Sequence, residues 1–323
     1  MSLLRIVFVT ALLSALGPYA APAQQSDAYP NRMIRYVVPF PPGATSDSVG
    51  RIIAQRLSEE LGQTVVVENK PGAGTALAAE MVARAEPDGY TLFNVTNATL
   101  AAIPHLMKLS YDADTAFAPV AFTGDLYSYR AVNPDLPVTD FAQFVAYAKA
   151  NPGKLSFGSA GNGSLGHLYG ELLKLKTGID IVHVPYRGSA ATILDAVAGR
   201  VQVIDDPATL PYIQAGKLRG LATLNEHRSP ALPQLPTIEE AGVRDWKARL
   251  WFGVVVPAKT PPHIVDFLNG KISAILAEPK TVAQLRLLNV EPRQLAPDAI
   301  QKMVREESTF FADLVRAAKI RVE

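Results

Sequence analysis

Two short stretches carry the residue types of an anion site. The first is "PFPPGATSD", Pro39 to Asp47; the second is "FGSAGNGS", Phe157 to Ser164. Each stands after a strand-like run and before a helix-like one. At such a junction the first helical turn offers backbone N–H groups without an intrahelical acceptor, and the helix dipole adds partial positive charge. A carboxylate or phosphate is the natural partner. Gly43, Gly161 and Gly163 allow an anion close to the backbone. Pro41 and its neighbouring prolines stiffen the first loop, so less entropy is lost on binding. Thr45, Ser46, Asp47 and Ser164 are oxygen-bearing helix-start residues, and Ala44, Ala160 and Asn162 complete the loops. The competing reading is a pair of ordinary tight turns, which Gly, Pro and Asn also mark.

Other chemistry finds weaker support. "GAGTAL", Gly72 to Leu77, lacks the final glycine and the spacing of a dinucleotide fingerprint. "NGSLG" misses a nucleophile elbow because Asn162 stands where the first glycine belongs. His167 lies one helical turn from Ser164, but no acid is placed to orient it, so a secreted α/β hydrolase remains a minor alternative. His105, His167, His183, His227 and His263 are scattered without metal-ligand spacing. Neither a metal nor a cofactor is expected, and the chain does not read as an enzyme. Trp246, Trp251, Tyr127 and Tyr129 read as core residues, with stacking on an aromatic ligand as the functional alternative.

The elements that would position these loops follow from the pattern. Strand-like and helix-like segments alternate along the 323 residues, and the Val/Ile-rich strands lack clean polar alternation. That implies mostly parallel sheets covered on both faces, an α/β class of fold. Two long extended stretches break the rhythm: "FAPVAFTGDLYSYRAVNP" and "KARLWFGVVVPAKTPP". They are read as crossover strands joining two doubly wound domains. The expected division is 30–124 with 253–323, and 125–252. In open α/β sheets ligands sit beyond the carboxyl ends of the strands. The polar residues Thr96 and Asn97, at the end of one such strand, then join the two loops at a common cleft.

Composition sets the compartment. Arg5 precedes the apolar run "IVFVTALLSALG", and Ala21 and Ala23 form an A-x-A cleavage site. Residues 1–23 are read as a cleavable signal peptide, with export to the periplasm. The apolar run is too short for the ~20 residues of a membrane span. There is no cysteine, so no disulfide, thiol or lipoprotein anchor is available. The formal net charge is +1, from 31 basic and 30 acidic residues, with no long like-charge run, so nucleic acid is not an expected partner.

Taken in order, "YPNRMIRYVVPFPPGATSD", "LGQTVVVENKPGAG", "PDGYTL", "NPGKLSFGSAGNGS", "VHVPYRG", "AGKLRGLA", "RSPALPQLPTIEEAG" and "WFGVVVPAKTPP" resemble the Bug-type receptors. These are the extracytoplasmic solute-binding proteins of tripartite tricarboxylate transporters. The resemblance spans nearly the whole mature chain. It implies a two-lobed, type II periplasmic-binding-protein fold that closes like a flytrap, without catalysis. It also implies a small organic carboxylate as ligand and the transporter's membrane subunits as partners. The chain is expected to act as a monomer. A receptor that reports to a membrane sensor is the alternative role. Asp206 of "VIDDPATLP" matches the family aspartate, and Tyr186 and Arg187 of "VHVPYRG" are further candidates for the site.

The chain departs from the family at several points. Ala44 stands where a second glycine is usual, which raises the question of the first loop's conformation. "SLGHL" replaces "TSPHL". Arg130 and Arg249 lie in the crossover strands, where the family more often has apolar and small polar residues. Arginine grips carboxylates bidentately, so at least one of these two is expected to face the cleft and select a second acidic group. The competing reading pairs them with Asp125 or Asp245, or leaves them in solvent.

Overall fold

A computed structural model describes residues 29–321. The signal-peptide reading lies outside the described residues. The strands are β1 (Ile34–Val38), β2 (Val65–Asn69), β3 (Thr91–Thr96), β4 (Phe117–Leu126), β5 (Tyr129–Val132), β6 (Leu155–Ser159), β7 (Ile181–Pro185), β8 (Val203–Asp206), β9 (Arg219–Thr223), β10 (Leu250–Pro257) and β11 (Val290–Glu291). The helices are α1 (Thr45–Leu61), α2 (Ala76–Ala83), α3 (Ile103–Leu106), α4 (Phe141–Ala150), α5 (Leu165–Thr177), α6 (Ser189–Val197), α7 (Leu210–Gln214), α8 (Pro262–Ala277), α9 (Pro279–Leu287) and α10 (Pro297–Ala317).

The strands form two sheets, one per lobe. The six-stranded sheet has the order β11-β4-β10-β3-β1-β2, and the five-stranded sheet β7-β6-β8-β5-β9. Parallel pairs β1–β2 and β1–β3 in the first sheet have counterparts in β6–β7 and β6–β8 in the second. The exceptions are informative. β10 is inserted antiparallel between β3 and β4, and β5 antiparallel between β8 and β9. Each is a strand that has just crossed from the other lobe. Only the crossing from β4 to β5 is tight, through Tyr127 and Ser128. β4 stays in the first sheet to Leu126 and β10 joins it from Leu250. The crossings therefore lie just after Leu126 and just before Leu250.

Local chemistry explains the helices that matter for the site. α1 ends where Gly62 takes the left-handed conformation at φ 62°, and α5 where Gly178 does so at φ 71°. Gly170 lets α5 lie directly on β6: a Cβ there would stand 2.1 Å from the Phe157 ring. Ile34, Tyr36 and Val38 of β1 pack with Val49, Ile53 and Leu57 of α1 and with α8 in one core. The second lobe's core gathers Phe144, Phe157, Leu168, Leu172 and Trp246.

The C-terminal helices do not return to the first lobe alone. Ile300 and Met303 of α10 pack in the first lobe with Phe93, Phe122 and Trp251. Two to three turns after Met303, Phe311 and Leu314 join a core cluster that holds Ile103 and Leu106 of the first lobe together with Leu168 and Leu172 of the second. α10 thus ties the lobes together, a third connection besides the two crossovers.

Candidate functional site

The first loop opens on a helix start that lacks a side-chain cap. Ala44 is the N-cap of α1, extended at φ −67° and ψ 156°, and no side chain bonds the first turn. The N–H groups of Thr45, Ser46 and Asp47 have no acceptor within the helix and none elsewhere among the described residues. The negative φ of Ala44 answers the question of the missing glycine: this position needs none. Gly43, at φ 86°, is the residue whose conformation requires glycine. Pro41 and Thr45 are exposed at the loop's rim.

The polar side chains of this loop are spent on shaping it. Asp47 accepts from Gly43 N at 2.9 Å, Arg51 Nε at 3.0 Å and Asn69 Nδ2 at 2.8 Å. Burial pushes the Asp47 carboxyl up, but these bonds outweigh it and hold it below the usual carboxylate range. Ser46 Oγ accepts from Asn94 Nδ2 at 2.8 Å, and Ser46 is buried. Asp47 and Ser46 are therefore braces, and the loop's free donors are backbone N–H groups. Asn69 and Asn94 escaped the sequence reading. The available signal was an asparagine inside the apolar run "TLFNVT", where an amide needs a buried partner.

The second loop has the same design. Ser164 caps α5 through a 3.4 Å bond from His167 N to Ser164 Oγ, leaving Leu165 N and Gly166 N without acceptors. Gly161 and Gly163 adopt φ 132° and 74°. A Cβ on Gly161 would sit 3.2 Å from the Tyr186 carbonyl. Ala160 accepts from Gly188 N at 3.2 Å, which holds this loop against the next one. Gly188 in turn is the uncapped N-cap of α6. Asn162 is exposed. The loops after β6 and β7 thus lie side by side at the carboxyl edge of the sheet, next to Asp206 at the end of β8.

Several other candidates are already engaged. Tyr186 donates its hydroxyl to Asp195 Oδ2 at 2.8 Å; burial and that carboxylate push the phenol up to about 12. Asp206 accepts from Ser189 Oγ at 2.5 Å and Ala208 N at 2.8 Å, and burial raises its carboxyl. Thr96 caps the turn that follows it, accepting from Thr99 N at 3.3 Å. Arg187 is exposed and forms no ion pair among the described residues.

The expectation for Arg130 and Arg249 is corrected. Arg130 is fully buried in β5, in register with Asp205 on β8. Its Nε donates to Asp205 Oδ1 at 2.8 Å, and Nη2 binds Oδ2. β5 lies inside the sheet with helices over it, so the side chain has no path to a cleft. Arg249 bonds Glu307 Oε1 at 2.6 Å and Glu226 Oε1 at 2.8 Å. Neither guanidinium is free for a ligand, and neither takes the Asp125 or Asp245 pairing considered from sequence. Trp246, Trp251, Tyr127 and Tyr129 are buried core residues, as read.

The Arg249 carbonyl marks where the lobes meet. Asn97 Nδ2, just beyond β3, and Tyr169 Oη, on α5, both donate to it at 2.6 Å. The carboxyl edge of the first sheet and the start of α5 therefore converge on one atom of the crossover. Asn97, expected at the ligand, holds this junction through its Nδ2.

Beside it, Glu307 of α10 is buried and accepts from Trp251 Nε1 at 2.9 Å. Burial raises its carboxyl to about 7, against the pull of Arg249 and Trp251. The native protein holds this proton while an unfolded chain releases it from about 4.5 upward. Glu307 should thus make stability fall as pH rises from about 4.5 through about 7. Glu307→Gln should flatten that part of the profile in urea unfolding across the same range.

Sequence and structure comparisons agree with this architecture. Residues 49–320 match the TctC family, described as the tripartite tricarboxylate transporter family receptor. The chain belongs to this family. Protein BugT of Bordetella pertussis is 35% identical over 320 residues, covering 98% of each chain. Among solved structures, Rpa4515 of R. palustris with adipate superposes with a TM-score of 0.80 at 38% identity, covering 91% of this chain and 99% of that one. MatC from Rhodopseudomonas palustris with bound malate gives 0.76 at 31% identity, covering 89% and 100%. The receptor has the two-lobed fold of these binding proteins. Among the described residues, no helix is long and apolar enough to cross a membrane, and no cluster has the makings of a metal site.

Proposed function

We propose that this receptor works in the periplasm. It captures a small organic carboxylate between its lobes and presents it to the membrane subunits of a tripartite tricarboxylate-type transporter. The observation that carries the reading is the uncapped first turn of α1 behind Ala44, matched across the junction by the free N–H groups of Leu165 and Gly166. Backbone donors at a helix start suit a carboxylate, and the relatives with adipate and malate support that class of ligand. The domains we propose are 30–126 with 250–321, and 129–249, with Tyr127 and Ser128 as the tight connector on one side. With no free arginine in the crossovers, Arg187 is the cation left to favour a second acidic group. Binding needs no chemical step; selection and closure are equilibrium events.

A thermal-shift screen of mono- and dicarboxylates, malate and adipate included, tests this. A ligand that binds only the folded protein raises the melting temperature, by about 2.7 kcal/mol of added stability at a hundredfold excess over Kd. Silence across the carboxylates, with a response to sugars or to neutral amides, would reject the reading.

A further inference from the structure

Beneath the second loop stands a column of three rings that the binding reading leaves without a role. Phe157 of β6 stacks on His183 of β7, centroids 4.8 Å apart. His183 stacks on His167 of α5 at 3.9 Å, with the ring planes 5° apart. Each imidazole holds one end of the loop. Gly163 N donates to His167 Nδ1 at 3.1 Å. His183 Nε2 meets Ser159 Oγ at 2.7 Å, and that hydroxyl also bonds Gly161, at 3.2 Å to its N and 3.0 Å to its O.

We propose that His167 and His183 are positioning residues that hold the loop Ala160–Ser164 in its binding shape, and that they do so only while His167 is neutral. The carboxylate reading above supplies what the loop binds; the shape of the loop stands on the geometry alone. A neutral imidazole has one bare nitrogen, and an imidazolium has none. Gly163 presents an N–H, so His167 must keep Nδ1 bare and carry its proton on Nε2. Protonation would set N–H against N–H and release Gly163. Two stacked cations would also repel, so the pair resists charging together. Burial lowers the affinity of both rings for a proton, to about 4 for His183, with Lys174 and the neighbouring imidazole adding to it. For His167, Lys174 adds to the effect of burial and Glu171 opposes it. Glu171 and Lys174 are the charged groups of α5 facing the column, and they pair at 3.0 Å. β6 and β7 contribute Phe157, Ser159 and His183 itself.

The test uses nitrogen NMR on the mature protein, first without ligand. At pH 7 the imidazole signals should show His167 neutral with Nδ1 bare. As pH falls towards 4, the Gly161 and Gly163 amide signals should move together with His167 protonation. His167→Phe keeps a ring for the stack and removes the acceptor. It should speed Gly163 amide exchange about tenfold, the loss of one hydrogen bond, and abolish the acid transition of the loop. His167→Asn restores an acceptor at the δ position and should return the protection. Where adipate or malate binds the wild type, His167→Phe should weaken it about tenfold. Unchanged Gly163 exchange in His167→Phe, a loop that stays still while His167 titrates, or a cationic His167 at pH 7 would each overturn the proposal. Unchanged affinity in a variant whose loop has loosened would remove the positioning role in binding. If no carboxylate binds the wild type, the function reading fails, and the amide and imidazole signals still decide the loop. Should His167→Phe not fold, the wild-type titration decides.

Discussion

Replacing Ala44 by aspartate should close the first anion site and make the protein more stable at the same time. Ala44 already has the extended backbone that an N-cap residue adopts. An aspartate there would turn its carboxylate onto the N–H groups of Ser46 and Asp47, the donors offered to the ligand. The cap should add about 1 kcal/mol to stability. The loss of those donors, with a fixed negative charge where the ligand's must sit, should weaken carboxylate binding roughly a hundredfold, about 2.7 kcal/mol. Stability and affinity thus move in opposite directions, which a general disruption of the fold would not produce. Calorimetric titration and melting curves on Ala44→Asp, with Ala44→Gly as control, check both halves. Wild-type affinity in a stabilised Ala44→Asp would remove this helix start from the site.

The second large effect is on folding. Asp205→Ala would strand the Arg130 guanidinium in a fully buried position. Breaking a buried pair from one side costs about 3–5 kcal/mol, because an uncompensated charge remains. At roughly 2–4 °C per kcal/mol for a large domain, the melting temperature should fall by about 6–20 °C. Arg130→Met should do the same from the other side. The double change Arg130→Met with Asp205→Leu should recover most of the loss, since an apolar pair replaces two desolvated charges. Recovery is favoured further because Arg130 Nη1 is buried without a hydrogen-bond partner. The Arg130 guanidinium lies 5.4 Å from the Trp246 ring centroid, so tryptophan emission should report the change. Single variants that cost under about 1 kcal/mol would mean water reaches this pair after all.

These arginines show where sequence reading stops. The strand–loop–helix order, the two glycine loops and the crossovers were legible because hydrophobic runs, turn residues and helix starts are local signals. Arg130 and Asp205 stand 75 residues apart and meet only because β5 is threaded antiparallel against β8. A pattern of residue types contains no such register. The same holds for Arg249 and Glu307, which stand 58 residues apart and meet only where α10 passes the crossover. Ala44 was visible as a departure, yet its meaning required the backbone angle. Read as a missing glycine it only raised the question of the loop's conformation; at φ −67° it is an uncapped helix start. Asn94 and Asn69 sat in plain view inside strands, and only the fold shows that they brace Ser46 and Asp47. His167 and His183 looked like unrelated helix and strand residues until the pairing of β6 with β7 stacked them.

A fold tied by α10 as well as by two crossovers should move as a limited rotation about the Arg249 junction, with Asn97 and Tyr169 keeping their shared acceptor. On the proposed reading the groups that meet the ligand are chiefly backbone N–H, with exposed Arg187 the cation next to the second loop. Such a site recognises the carboxylate itself and leaves chain length to the space between the lobes.

A crystal structure of the complex with adipate or malate, whichever gives the larger thermal shift, tests the account most directly. The account predicts one carboxylate at hydrogen-bond distance, roughly 2.7–3.2 Å, from first-turn N–H groups among Thr45, Ser46 and Asp47 of α1. The Leu165 and Gly166 N–H groups of α5 should meet the same ligand from the other lobe, with Arg130 still on Asp205 and Arg249 still on Glu307. A ligand seated away from both helix starts, or held by Arg130 or Arg249 after breaking those pairs, would contradict it.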